Sequence, residues 1–193
     1  MTKIDNKHIG ILYEGSQANL VFQIITIEEL IQQQKDFTTI FKSGTEGYST
    51  FRIPAIVTAN SGRILAFAEG RVNGSSDTGD IDMVMRSSEN GGKTWSPLKI
   101  IWNDSLNVCG NPAPVIDRKT GDIHLLMTWN LGEDHERDII DGKSKDSRRV
   151  FVTSSNDDGE SWTTPKEITS SVKKENWTWY ATGPCHGIQL KYG

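Results

Sequence analysis

The sequence predicts an all-β fold. Short apolar segments recur along the 193 residues and are separated by turn signals rich in Gly, Asn, Asp and Ser. One turn motif occurs twice, at 88–95 and again at 155–162. Short strands at near-regular spacing with turn signals between them are typical of a β-sandwich or a β-propeller.

The first part of the chain predicts a hairpin followed by a short helix. Apolar segments at 9–13 and 20–26 flank a turn that begins with Glu14. Residues 27–34 are good helix formers and predict a short helix or helical turn. A strand at 37–41 and a loop at 44–49 follow.

Residues 51–95 combine a predicted strand pair, two arginines, a cluster of three aspartates and the first copy of the turn motif. The strands at 53–57 and 64–68 form a hairpin around 60–62, with Arg52 at the entrance of the first and Arg71 just past the exit of the second. We therefore expect both guanidinium groups at one end of the same sheet. A polar, glycine-rich loop at 73–80 precedes the next strand, 81–86. Loops at strand ends are where function concentrates on a rigid scaffold.

The second half continues the same pattern. Strands are predicted at 98–102, 113–117, 123–129 and 149–155, with a turn at 118–121 and a long polar surface loop at 130–147. The two turn motifs begin at Ser88 and Ser155, farther apart than the roughly 40 to 50 residues of a propeller blade. The charged loop at 130–147 accounts for the excess.

The repeated turn motif has a structural explanation. A short Asn or Asp side chain bonds backbone amides ahead of it, and glycine supplies a positive φ. We expect both copies to fold hairpins, to bind nothing, to lie on the opposite side of the sheets from Arg52, and to bury their Trp. The residues concerned are Ser88, Asn90, Gly92, Thr94 and Trp95 in the first copy and Ser155, Asp157, Gly159, Ser161 and Trp162 in the second.

Composition excludes several classes of partner. The net charge of −4 argues against nucleic acid or an anionic membrane as the main partner. The longest apolar runs are too short to span a bilayer, and the polar residues after Met1 predict no secretory leader. Cys109 and Cys185 do not make a disulfide framework, so we expect two free thiols, buried or semi-exposed. The compartment is not predicted.

Several short motifs together resemble one family. Phe51-Arg52-Ile53-Pro54 precedes the two turn motifs, and Ala68-Glu69-Gly70-Arg71, Asp77, Gly110-Asn111-Pro112 and Thr182-Gly183-Pro184 follow in order. This set resembles the exo-α-sialidases (neuraminidases), in which the turn motif is called an Asp box and the catalytic domain is a six-bladed β-propeller. The resemblance implies a retaining hydrolase that removes terminal sialic acids from sialylated glycans, with no metal and no cofactor.

The resemblance also implies roles for individual residues. Sialic acid carries a carboxylate on its anomeric carbon, and a planar bidentate guanidinium suits it better than lysine. Arg52 resembles the first member of the family's arginine triad. Arg71 resembles an arginine near the sugar's 4-hydroxyl, a role in which Asn111 shares. Asp77 resembles the general acid/base, on a loop able to close over the glycosidic oxygen, and the family's nucleophile is a tyrosine activated by a glutamate.

Three alternatives stay open from the residues themselves. Asp80 and Asp82 compete with Asp77, because all three could cap the loop. The acidic run at 133–138 is either a Ca²⁺ site or a solvated rim of the pocket, and its spacing matches no EF-hand. The aromatic side chains of Trp177, Trp179 and Tyr180 either stack on a sugar ring or pack in the core.

The order of the segments departs from the family. Residues 1–34 resemble the closing strands of a sialidase propeller, and 35–193 resemble the N-terminal half of its catalytic domain. Because a closing-strand carboxylate holds the first triad arginine in the family, we expect Glu14 to pair with Arg52. The nucleophilic tyrosine, its glutamate and the other two triad arginines are not matched within 1–193.

This order predicts an incomplete catalytic domain. Such a chain is expected to hydrolyse no sialoside by itself and to seek the missing half of the propeller as a partner. The alternative is a non-catalytic sialoglycan-binding or Asp-box scaffold protein.

Overall fold

A computed structural model describes residues 2–14, 19–28 and 36–190, and most of its regular structure is β. Two short helices, α1 (Glu136–Ile140) and α2 (Thr169–Val172), interrupt the strands. The strands of the described residues are β1 (Thr2–Lys3), β2 (His8–Glu14), β3 (Leu20–Thr26), β4 (Asp36–Phe41), β5 (Thr50–Thr58), β6 (Ile64–Arg71), β7 (Ile81–Ser88), β8 (Lys99–Trp102), β9 (Val108–Ile116), β10 (Ile123–Asn130), β11 (Arg149–Ser155) and β12 (Lys166–Glu167).

The strands form three consecutive units of four antiparallel strands each. The first unit contains β1–β4, the second β5–β8 and the third β9–β12, each in chain order within its sheet. A single parallel bridge, Ile81 to Val108, links β7 of the second unit to β9 of the third. Successive four-stranded antiparallel sheets are the blades of a β-propeller.

Most predicted strands are present, with two corrections that concern the arginines. The first strand begins at Thr50, so Arg52 lies within β5 and not at its entrance, and Arg71 is the last residue of β6 and not past its exit. The expectation that both lie at one end of the sheet is confirmed, because Thr50 pairs with Arg71 and Arg52 pairs with Glu69.

Other differences lie in connecting segments. The loop predicted at 130–147 contains α1, whose Ile139 is buried. Most of the helix predicted at 27–34, and the turn after Glu14, lie outside the described residues. So does the predicted boundary between 1–34 and 35–193, although β3 before it and β4 after it pair in one sheet.

The hydrophobic core lies between the units. One cluster joins side chains of the first and second units, among them Leu20, Phe22, Phe41, Phe51 and Ala66. The other joins the second and third units through Leu65, Phe67, Met85, Ile123 and Leu125. The second unit therefore buries one face against the first unit and the other face against the third, as the layered packing of β-sheets requires.

The first turn motif folds as a closed hairpin loop between β7 and β8. The Ser88 hydroxyl accepts a bond from the Gly92 amide at 2.9 Å, and Asn90 Oδ1 accepts one from the Thr94 amide at 2.9 Å. The Trp95 indole donates to the Gly92 carbonyl at 3.1 Å. Its ring packs edge-on against Phe22 of the first unit, with centroids 5.0 Å apart.

The second turn motif, between β11 and β12, repeats these bonds. The Ser155 hydroxyl and Asp157 Oδ1 accept from the amides of Gly159 and Ser161 at 2.8 and 2.9 Å. Bonds from Ser161 and Ser155 hold the pKa of Asp157 down to about 2. The Trp162 indole donates to the Gly159 carbonyl at 3.2 Å.

The expected position of both motifs is confirmed by the strand register. Ser88 pairs with Ile64 and Ser155 with Ile123, at the end of the sheets opposite Arg71. The expected burial of each Trp agrees with the structure, in which both are partly buried and pack edge-on against Phe22 and Phe67 of the preceding units.

The two thiols are free, as expected, with Cys109 buried and Cys185 exposed. Burial raises the pKa of Cys109 well above its ordinary value. Across the described residues, none of the helices has the length and apolar character needed to cross a membrane.

Candidate active site

A cavity of about 180 Å³ opens at the end of the sheets opposite the turn motifs. Strands β5, β6, β7 and β9, the segments after β6 and β10 and the segment after α2 supply its walls. Apolar, polar and charged side chains line it: Ile53, Glu69, Arg71, Asp77, Ile81, Val108, Asn111, Glu136, Arg148 and Trp179.

Glu69 and Arg71 form a buried ion pair on the cavity wall. They are two residues apart on β6, so both side chains point to the same face of the strand. Glu69 Oε2 accepts bonds from Arg71 Nε at 3.1 Å and Nη2 at 2.5 Å. Its Oε1 accepts a bond from the backbone amide of Asn111 at 2.9 Å. Gly110 leaves room for this approach, since a Cβ there would lie 2.4 Å from Oε1.

Asp77 projects into the site from the loop after β6. Arg71, which is 2% exposed, donates from Nη1 to the carbonyls of Ser75 and Ser76 at 2.6 and 2.9 Å and from Nη2 to Asp77 at 2.6 Å. The Asp77 side chain is 56% exposed. The buried guanidinium of Arg71 therefore fixes the loop, while the carboxylate of Asp77 on that loop stays open to solvent.

The two competing aspartates have other surroundings. Asp82 is buried and accepts bonds from the Tyr48 hydroxyl and from Asn103, both at 2.6 Å. Asp80 has a buried oxygen without a bonding partner, and burial raises the pKa of both carboxyl groups. Of the three aspartates, Asp77 lines the cavity.

Arg52 is held by Glu14, as the sequence predicts. Arg52 Nε lies 3.2 Å from Glu14 Oε1 and 3.4 Å from Oε2. Its Nη1 lies 3.7 Å from Asp77 Oδ1 and donates to the Ser75 carbonyl at 3.4 Å. A carboxylate from the first unit thus orients a guanidinium of the second unit toward Asp77.

Asn111 is bonded within the protein at each of its polar groups. Its backbone has φ of 56°, a left-handed conformation that asparagine tolerates. The side-chain oxygen accepts from the Thr128 hydroxyl at 2.8 Å and from Arg148 Nη2, and the side-chain amide donates to the Gly183 carbonyl at 3.3 Å. The Thr182 hydroxyl donates to the Asn111 carbonyl at 2.6 Å. The predicted substrate-binding residue lines the cavity and also joins several strands.

Arg148 is a buried cation of the site that the sequence did not reveal. It donates to the Tyr180 carbonyl at 2.8 Å, to Asn130 Oδ1 at 2.6 Å and to the Thr128 hydroxyl at 2.9 Å. The guanidinium stacks 3.8 Å above the ring of Trp179. Burial lowers the pKa of Arg148 to about 10, so the group stays protonated at neutral pH.

Known proteins share sequence and fold with this chain. Residues 62–193 match the BNR repeat-like domain family. The chain belongs to the BNR repeat-like domain family.

The curated relatives that the chain matches include sialidases. The chain is 35% identical to the exo-alpha-sialidase of Aspergillus fumigatus over 164 residues, which cover 76% of this chain and 40% of that protein. It is 38% identical to the exo-alpha-sialidase of Arthroderma benhamiae with the same coverage. A solved structure of a Hadza microbial sialidase matches 93% of this chain and 39% of its own length, with a TM-score of 0.70 and 26% identity.

These matches confirm the resemblance to sialidases and the prediction of an all-β fold that is part of a sialidase propeller. The chain spans about 40% of the length of these curated relatives.

Of the cavity residues to which sequence reasoning assigned no role, Glu69 could have been found from the sequence, whereas Arg148 could not. Glu69 stands two residues before Arg71 in an apolar strand, a spacing that pairs their side chains on one face. Arg148 carries no such local signal, because it ends a polar loop and its partners are distant in sequence. Of the open alternatives for the aromatic residues, Trp179 lines the cavity, whereas Trp177 stacks on Tyr180 at 5.6 Å.

The acidic run at 133–138 divides between two places. Asp134 is buried and accepts bonds from the amides of Lys145 and Asp146, both at 3.0 Å, so it ties the ends of the loop together. Glu136 contributes to the cavity wall.

Proposed function

We propose that this chain is part of the catalytic propeller of an exo-α-sialidase, which hydrolyses terminal sialic acids from sialylated glycans with retention. The observation that carries the proposal is the junction of Arg52, oriented by Glu14, with Asp77 at 3.7 Å beside the cavity. A guanidinium next to a solvent-open carboxylate suits a sugar whose anomeric carbon bears both a carboxylate and the bond to be cleaved.

Each residue has a role in this reaction. Arg52 binds the substrate carboxylate, and the ion pair with Glu14 fixes its orientation before the substrate arrives. Asp77 donates a proton to the glycosidic oxygen and later takes one from water. Arg71 and Asn111 border the cavity where the ring of the sugar would lie. Residues 1–34 serve as closing strands and 35–193 as the N-terminal half of the catalytic domain.

A second candidate is a non-catalytic sialoglycan-binding protein. Asp77 Oδ1 already accepts a bond from Arg71 at 2.6 Å, an arrangement suited to a carboxylate that orders a loop. Arginines that bind without turnover would still recognise sialic acid.

The test is a chimaera in which the part of this chain that matches the Aspergillus fumigatus exo-alpha-sialidase replaces the corresponding part of that protein. Its cooperative thermal melting, followed by circular dichroism, establishes that it folds. We expect it to hydrolyse a fluorogenic sialoside, and Asp77→Asn to lower kcat by about 100-fold or more, because a general acid contributes about 10² to 10⁴.

Asp122→Asn, at the turn-motif end of the sheets, is the matched control and should keep kcat. An active chimaera that is indifferent to Asp77→Asn contradicts the assignment of the acid. A folded chimaera that binds a sialoside without cleaving it favours the second candidate, and one that does neither contradicts both.

A further inference from the structure

A second concavity adjoins the cavity. It is an open cleft of about 480 Å³ between the loop that carries Asp77 and helix α1, and Asp77 and Glu136 line both spaces. We call it the helix cleft, and its other lining residues are Ser76, Thr78, His135, Arg137 and Ile140.

The two walls of the helix cleft are firmly joined. The Gly79 amide donates to the Gly132 carbonyl at 2.7 Å, which ties the loop after β6 to the segment before α1. Gly132 permits this close packing, since a Cβ there would lie 2.9 Å from the Gly79 carbonyl oxygen and 1.8 Å from that of Leu106. On one wall Arg71 holds the Ser75 and Ser76 carbonyls. On the other, Ile139 at 3% exposed anchors α1. The cleft is therefore formed before any ligand arrives.

The chemistry of the helix cleft fits a neutral sugar. The hydroxyls of Ser76 and Thr78, the imidazole of His135 and the charged groups of Glu136 and Arg137 offer both donors and acceptors, as sugar hydroxyls require. Ile140, which is 44% exposed, adds an aliphatic surface for the C–H face of a ring. Asp77 and Glu136 outnumber Arg137, which is itself paired with Asp141 at 3.3 Å, so an anionic ligand is disfavoured.

We infer that the helix cleft binds the neutral sugar to which the sialic acid is attached. The inference rests on the proposed function, in which Asp77 donates its proton to the glycosidic oxygen. That oxygen must then lie within hydrogen-bond reach of Asp77, with the sialic acid ring in the cavity on one side. The leaving sugar emerges on the other side of Asp77, which is where the helix cleft begins.

The experiment uses the full 193-residue chain labelled with ¹⁵N, titrated separately with free N-acetylneuraminic acid and with lactose. We expect sialic acid to shift the amide resonances of Asn111 and its neighbours, and lactose to shift those of 135–140. Ile140→Ser should raise the Kd for lactose by about tenfold, because it removes an apolar contact with the ring. Arg137→Gln provides a second variant, and the dispersion of each spectrum reports whether the variant is folded.

The matched control is Ile100→Ser, an isoleucine of β8 that is 52% exposed and lies outside the cleft. It should leave the Kd for lactose unchanged. If sialic acid shifts the cavity amides and lactose does not shift 135–140, the helix cleft is not the leaving-group site, while the proposed function stands. If sialic acid shifts neither region, the proposed function fails and the inference fails with it.

Discussion

Among single residues, Glu69 and Arg71 determine the geometry of the cavity wall. Glu69 bonds the Arg71 guanidinium and the Asn111 amide, and Arg71 passes the constraint to the loop of Asp77. Both charges are almost completely removed from water, so each depends on the other to offset its desolvation.

We predict that Glu69→Gln destabilises the folded protein markedly. The variant keeps the shape of the side chain but leaves the Arg71 charge with only the half-exposed Asp77 as its carboxylate partner. Removing one partner of a buried pair costs about 3 to 5 kcal/mol, and we expect the lower end because Asp77 remains. Urea denaturation measures the free energy of unfolding.

The control is Glu133→Gln, which breaks an exposed ion pair with Lys145. Exposed pairs contribute about 0 to 1 kcal/mol, so this variant should unfold near the wild-type urea midpoint. Equal losses in the two variants would mean that burial adds nothing to the Glu69–Arg71 pair.

Residues of the site differ in how far the sequence reveals them. The pairing of Glu14 with Arg52 follows from the resemblance of the first strands to closing strands, and the structure bears out the contact at 3.2 Å. Arg148 reaches Asn111 and Tyr180 through a long-range fold that no local spacing encodes. The sequence of a polar loop does not indicate which of its charged side chains will be buried in the folded protein.

At the scale of elements, the repeated turn motif packs on the preceding unit. Gly92 lies against the Phe22 ring, where a Cβ would come within 2.2 Å, and Gly159 lies against Leu65, where a Cβ would come within 2.7 Å. Both glycines have a positive φ, 85° and 83°. Glycine is therefore required twice over, by the backbone conformation and by the close approach.

We predict that Gly159→Ala destabilises the protein more than a glycine change without a close neighbour. The positive φ costs an alanine about 1 to 2 kcal/mol, and overpacking against Leu65 adds about 1 to 3 kcal/mol. Thermal melting of the variant should show a clearly lower Tm.

Gly142→Ala isolates the backbone part of this cost. Gly142 has a φ of 69°, but a Cβ there would meet nothing within 4 Å. Gly142→Ala should therefore lose only the stability that the positive φ costs an alanine. A Tm for Gly159→Ala equal to that of Gly142→Ala would show that the contact with Leu65 relaxes freely.

Strands were easier to predict than the segments between them. Leu20–Thr26 and Arg149–Ser155 have the predicted bounds, because apolar runs between turn residues define a strand locally. Helix α1 was missed, since five residues within a charged loop carry too little helical period to be recognised. Its single buried side chain, Ile139, becomes apparent only when the loop folds over the sheet.

On the scale of the whole molecule, stability resides between the sheets. Phe22 of the first unit is 1% exposed and contacts Trp95 of the second, and Phe67 of the second contacts Trp162 of the third. A four-stranded sheet with such faces cannot bury them alone. The three units are expected to unfold as one cooperative body.

We therefore predict that Phe22→Ala weakens the second unit as much as the first. Truncating a buried Phe costs about 3 to 5 kcal/mol, and the lost contacts include the first turn motif of the second unit. Native-state hydrogen exchange should show the same loss of protection at amides of β3 and of β7, because both report one global opening.

Phe37→Ala, at a β4 position that is 50% exposed, is the matched control and should change protection by about 0.5 kcal/mol or less. Protection lost in β3 but kept in β7 would mean that the sheets open separately. In that case the core shared by the two units does not hold Arg52 of the second unit against Glu14 of the first.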